Sequence, residues 1–141
     1  MSVDTAPTLA GVRTGRHDCY DRLVLDLAAG ASAGYHVAYV DAVYRDASGE
    51  LVPLRGGARL QVVVHAASFD VNGRPTYTPA NPAELSNVTG YQTFRQVAFA
   101  GSFEGQTTVG LGVRARLPFR AFILAGPGNG SRLVVDVAHF W

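Results

Sequence analysis

The chain has 141 residues, of which 48% are hydrophobic and 16% charged, with a mean hydropathy of +0.10. That length suits one domain whose core can bury roughly 68–70% of the unfolded surface, and the excess of apolar over charged residues excludes intrinsic disorder. A formal net charge of +1 argues against nucleic acid as a partner, and the single cysteine, Cys19, excludes both an internal disulfide framework and a multi-cysteine zinc site.

At the start of the chain, Met1 to Pro7 has neither the basic region nor the apolar run of a signal peptide. A cytoplasmic protein and the mature part of an exported one are both compatible with it. No stretch approaches the 18 or more apolar residues of a transmembrane segment. Residues 1–10 are small, polar and Pro-containing, which predicts a flexible lead-in followed by a single domain over 11–141.

From there the dominant period is two. Leu23, Leu25 and Leu27 alternate with Arg22, Val24 and Asp26. Leu60, Val62 and Val64 alternate with Arg59, Gln61 and Val63. Val109, Leu111 and Val113 alternate with Thr108, Gly110, Gly112 and Arg114, and Leu133, Val135 and Val137 with Arg132, Val134 and Asp136. Such alternation gives each strand one apolar face. Residues 35–44 and 119–124 add stretches rich in β-branched and aromatic side chains. Asp46-Ala-Ser-Gly49, Arg55-Gly-Gly57, Asn72-Gly73 and Pro127-Gly-Asn-Gly130 supply turns between them. With 16 glycines and 7 prolines, only Pro82–Ser86 offers even one helical turn. The prediction is an all-β protein: a two-sheet β-sandwich of about eight or more short, mostly antiparallel strands.

Two features break this regularity. Arg22-Leu-Val-Leu-Asp-Leu27 and Arg132-Leu-Val-Val-Asp-Val137 resemble one another and suit paired strands that close the sheet. Gly73–Thr93 is a long segment with several prolines, asparagines and tyrosines, and a loop of that length in a compact domain is usually functional or mobile.

Catalytic chemistry finds little support. His17 and Cys19 can share a strand face, but the flanking Asp18 and Asp21 are the wrong neighbours for an activated thiolate. Gly110-Leu-Gly-Val-Arg-Ala115 spells a dinucleotide fingerprint, yet it lies on an alternating strand and Pro118 blocks a following helix, so close backbone approach is the better reading and no cofactor is expected. Asp26 and Asp136 suit cross-strand pairs with arginines better than an acid/base couple, and Glu104 belongs to a turn. His17, His36, His65 and His139 show no metal-ligand spacing. A hydrolase would need His17, Asp21 or Glu104 to converge within hydrogen-bond reach.

Binding chemistry is better represented. Arg114, Arg116 and Arg120 form a candidate basic edge, with 114 and 116 on one strand face, and guanidinium forks suit carboxylates and phosphates. Tyr77 and Tyr91 in the long segment offer flat amphipathic surfaces for a sugar or a protein. The plain alternatives are a solvated charged edge and a loop packed onto the sandwich.

Gly15-Arg-His-Asp-Cys-Tyr-Asp-Arg-Leu-Val-Leu-Asp-Leu27 resembles the opening motif of the actinobacterial AMIN-like domain family. Tyr35–Asp41, Leu54–Leu60, Ala100–Gly105 with Val109–Arg120, and Ser131–His139 are similar to its later blocks, so the resemblance spans residues 11–139. It implies a β-sandwich of the cell envelope, secreted or lipid-anchored, related to modules that target amidases to peptidoglycan. It brings no catalytic residues. On this reading the domain is a non-enzymatic module that binds peptidoglycan or another wall glycan through Arg114, Arg116, Arg120, Tyr77 and Tyr91. The alternative is an envelope domain that binds a protein partner, with the terminal Phe140-Trp141 as its apolar contact.

Overall fold

The computed structural model describes residues 7–28 and 33–141. Ten strands follow one another: β1 (Thr8–Arg16), β2 (Tyr20–Ala28), β3 (Tyr35–Val40), β4 (Val43–Tyr44), β5 (Leu51–Val52), β6 (Ala58–Val64), β7 (Phe94–Phe103), β8 (Gln106–Val113), β9 (Phe119–Ala125) and β10 (Ser131–Ala138). They form one sheet in the order β1-β2-β10-β9, a second in the order β3-β6-β8-β7, and a β4–β5 hairpin. Every pairing between these strands is antiparallel, an isolated parallel bridge joins Thr8 to Ala67, and the described residues contain no helix. The all-β sandwich expected from the alternation is the fold; Pro82–Ser86 makes only a turn, with Glu84 N–H bonded to the Asn81 carbonyl at 3.0 Å.

Alternation decides which side chains meet between the sheets. Leu23, Leu25 and Leu27 from β2 join Leu133, Val135 and Val137 from β10. From the second sheet, Leu60, Val62, Val64, Val109, Leu111 and Val113 complete one buried cluster. Each such side chain contributes about 1.5–3 kcal/mol by leaving water. Strand β1 starts at Thr8, inside the stretch read as lead-in, because Leu9 is fully buried and its N–H bonds to Ala67 O at 2.8 Å.

The two similar segments pair with each other, β2 against β10, but at the centre of the first sheet rather than closing it. Their shared pattern explains the pairing. In antiparallel register Arg22 faces Asp136 and Asp26 faces Arg132; the first couple forms an ion pair, while Arg132 donates to the Ala125 and Gly126 carbonyls.

The outer face of the second sheet is covered by its own chain. Val43, Val52 and Leu54, from the β4–β5 hairpin and the residues after it, pack on Ala98 and Ala100 as a second small core. Glycine is required below: a Cβ on Gly110 would stand 2.8 Å from Leu54 Cδ1, and one on Gly112 only 2.0 Å from the Arg55 carbonyl oxygen. The Gly-x-Gly spacing is therefore a close-approach device. The free edge of β7 is also covered, because Leu85 N–H bonds to Val97 O and Phe99 N–H to Pro82 O. Among the described residues, the outer face of the first sheet carries no such cap.

Beside the covering hairpin, Asp46 has a buried Oδ2 with no hydrogen-bond partner. Burial pushes its carboxyl pKa up, against the smaller opposing effect of the Thr108 hydroxyl. The fold thus favours the neutral acid, and ionisation of Asp46 costs stability as pH rises through the carboxylate range. Asp46→Asn is expected to stabilise the domain by about 1 kcal/mol at neutral pH and by almost nothing in acid, where the native side chain is already protonated. Urea melts at both pH values read this.

Candidate functional site

On the first sheet, side chains that miss the core project from the uncapped face. Arg22 lies directly across from Asp136, and Asp136 across from Arg120, which makes a lateral Arg–Asp–Arg row. Arg22 is bidentate, Nε to Oδ1 at 2.7 Å and Nη2 to Oδ2 at 2.9 Å, while Arg120 donates Nε to Oδ2 at 2.8 Å. Beside the row stand Tyr20 and Phe122. Each guanidinium lies over both rings, at 5.4 and 5.8 Å for Arg22 and at 5.1 and 5.7 Å for Arg120. One turn of the pleat further on, Val24 and Val134 are buried although they point outward; arginine stems and the Phe122 ring are the cover available there. Asp26, held by Arg13 at 2.7 Å, and Arg132 complete the face. It therefore carries four arginines against two aspartates.

Asp136 is the buried member, 3% exposed against 26% for Arg22 and 62% for Arg120. Burial alone would raise its pKa, but the hydrogen bonds from Arg22 and Arg120, helped by their charges, outweigh it and hold the carboxyl below the usual carboxylate range. Arg22 is the structural partner. Arg120 faces solvent over a groove of about 420 Å³ whose walls include Cys19, Tyr20, Pro118 and Phe119.

The five residues singled out in the sequence separate. Arg120 stands at one side of this face. Tyr77 stands past the opposite edge, lining a groove of about 500 Å³ with Gly11, Arg13, Asp26 and Pro79. Its ring packs against Phe99, and burial raises its pKa. Tyr91 lies in a neighbouring groove of about 340 Å³ with Arg55 and Arg95, stacked on Phe94 and hydrogen-bonded to Thr14 at 3.0 Å. Arg114 and Arg116 do not share a strand face, because β8 ends at Val113. Arg114 turns to the His139 carbonyl, and Arg116 pairs with Asp41 at 3.3 Å and lies over the Tyr39 ring. The sequence reading missed Arg22, Arg13, Arg132 and Tyr20 as members of a face. For Arg22 and Arg132 the signal was present in the polar half of the β2 and β10 alternation, whereas Arg13 joins from β1.

Of the residues of the hydrolase reading, His17 and Asp21 line one groove of about 250 Å³ with His139, whose Nε2 stands 3.9 Å from Asp21 Oδ1, and Glu104 lies apart from them. Asp21 is fully buried and accepts N–H bonds from Thr93 and Phe94 at 2.7 and 3.0 Å, at one end of β7. Glu104 forms the β7–β8 turn at the other end of that ten-residue strand, about 30 Å away at 3.3 Å per residue. His17 stacks on Tyr20, and its carbonyl accepts from His139 Nε2 at 2.8 Å. Thr93 Oγ1 stands 2.7 Å from His139 Nδ1, so the buried histidine joins the turn after β1 to the start of β7.

A protein-family model described as the AMIN-like domain matches residues 7–139. A comparison with curated proteins finds no match.

Proposed function

The chain belongs to the AMIN-like domain family, an envelope-associated group of generally non-catalytic binding modules, and on that premise we propose that it binds peptidoglycan or another carboxylate-bearing wall glycan. The observation that carries this reading is the uncapped face of β1-β2-β10-β9, with its four arginines and paired aromatic rings. From β9 to β1 the face spans about 14 Å at 4.8 Å per strand, and a groove lies at each side, one with Arg120 and one with Tyr77. A saccharide crossing it meets rings that cover apolar sugar faces and guanidiniums that pair with carboxylates.

Co-sedimentation with insoluble peptidoglycan tests the proposal. The native domain is expected to bind saturably and more weakly as salt rises. The double variant Arg13→Ala with Arg132→Ala should lose at least about tenfold in affinity, while Arg116→Ala, off the face, stays native-like. Binding that ignores salt and the double variant overturns it. In that event an envelope protein becomes the partner to seek. The edge of β9, unpaired among the described residues and with Leu124 exposed, is the surface such a partner would meet.

A further inference from the structure

Building on that reading, we propose that the groove beside Arg120 is a subsite for a single carboxylate carried by the ligand, flanked by a small aliphatic group, as at the end of a short peptide. Arg22 already grips both oxygens of Asp136, whereas Arg120 spends only its Nε there. Among the described residues, Nη1 and Nη2 of Arg120 donate to nothing, and the side chain is 62% exposed. The Tyr20 and Phe122 rings and the Asp136 bond fix the guanidinium in place, so little rotamer freedom remains to be lost on binding. Two arginines over one aspartate leave one unit of positive charge. One carboxylate matches it, and a phosphate dianion overshoots it. Pro118, Phe119 and Ala138 give the groove apolar walls against which a small aliphatic group can rest.

Cys19, exposed and the sole cysteine of the chain, lines the same groove and serves as its reporter. The native domain is alkylated with iodoacetamide, a neutral reagent, at fixed ionic strength. The competing solutes are N-acetylalanine, N-acetylalanine amide and inorganic phosphate. A charge-assisted, bidentate guanidinium–carboxylate contact on a guanidinium already fixed in place corresponds to a dissociation constant of about 10 mM, so about 50 mM N-acetylalanine should slow alkylation roughly sixfold. The amide should leave the rate unchanged, and phosphate should protect less than N-acetylalanine. In Arg120→Gln, where Arg22 still holds Asp136, protection should vanish. No protection by N-acetylalanine, equal protection by the amide, stronger protection by phosphate, or protection that survives in Arg120→Gln overturns the inference. The acid–amide comparison needs no variant, so a folding defect cannot mask it. Wall binding that persists without protection by N-acetylalanine removes this subsite and keeps the wall-binding face. Loss of both removes both.

Discussion

Asp136→Ala is expected to cost the domain about 2–3 kcal/mol, a large share of the stability of a domain this size. The substitution strips the shared counter-charge from two neighbouring guanidiniums, that of Arg22 26% exposed and that of Arg120 62%. Three charge-assisted hydrogen bonds are lost, and the half-buried Arg22 charge is left without its partner while Arg120 stays in water. By contrast, Arg13→Ala breaks only the exposed pair with Asp26 and should change stability by less than about 1 kcal/mol. Chemical denaturation of the two variants beside the native domain makes the comparison. Equal, small effects would mean that the Arg–Asp–Arg row is a surface ornament. The same group sets an acid limit. Its folded pKa lies below that of the unfolded chain, so its contribution is complete above the unfolded value near 3.8 and is lost as pH falls through the folded one. Asp136→Asn should therefore show a shallower loss of stability in acid than the native domain.

Gly112→Ala is expected to cost about 3 kcal/mol, or about 10 °C in Tm, at the upper end of what overpacking does. The new methyl group would meet the Arg55 carbonyl oxygen at 2.0 Å, and that obstacle is backbone rather than the end of a flexible side chain. Either β8 bends or the segment after β5 lifts away. Lifting also breaks the bond from Arg55 N–H to Gln96 Oε1 at 2.9 Å. Gly15→Ala is the control. Its new Cβ meets nothing closer than His17 Nε2 at 3.8 Å, and its effect should stay within about 0.5 kcal/mol. Thermal melts that place both variants together would show that the hairpin rides loosely on the sheet.

The fold was legible because burial on one face writes a period of two into the chain, and Leu23, Leu60, Leu111 and Leu133 are buried where that period puts them. The pairing of β2 with β10 was legible for a further reason: a segment with arginine at one end and aspartate at the other is complementary to its own antiparallel copy. The cross-strand arginine pairs foreseen for Asp26 and Asp136 formed, with Arg13 for the first and with Arg22 and Arg120 for the second. The candidate site was harder to read, because membership of a face is a property of lateral neighbours. Arg120 joins Arg22 across β10 although almost a hundred residues separate them in sequence. Arg114 and Arg116 look alike in sequence, yet the strand stops between the last core valine and the first of them. Nothing local reveals that Arg114 serves a distant carbonyl, or that Asp21 points inward to two backbone N–H groups.

The place of β10 between β2 and β9 has a consequence for how the molecule comes into being. During synthesis β1 and β2 are free to pair early, but the other flank of β2 waits roughly a hundred residues for its neighbour. Until then its leucines and its open row of amide groups are bare, and half of the sandwich has no middle. Nucleation must bridge that long loop, which places folding on the millisecond-to-second scale of strand-dominated topologies. A nascent or threading polypeptide of this design stays pliable until its last strand arrives, and then sets all at once.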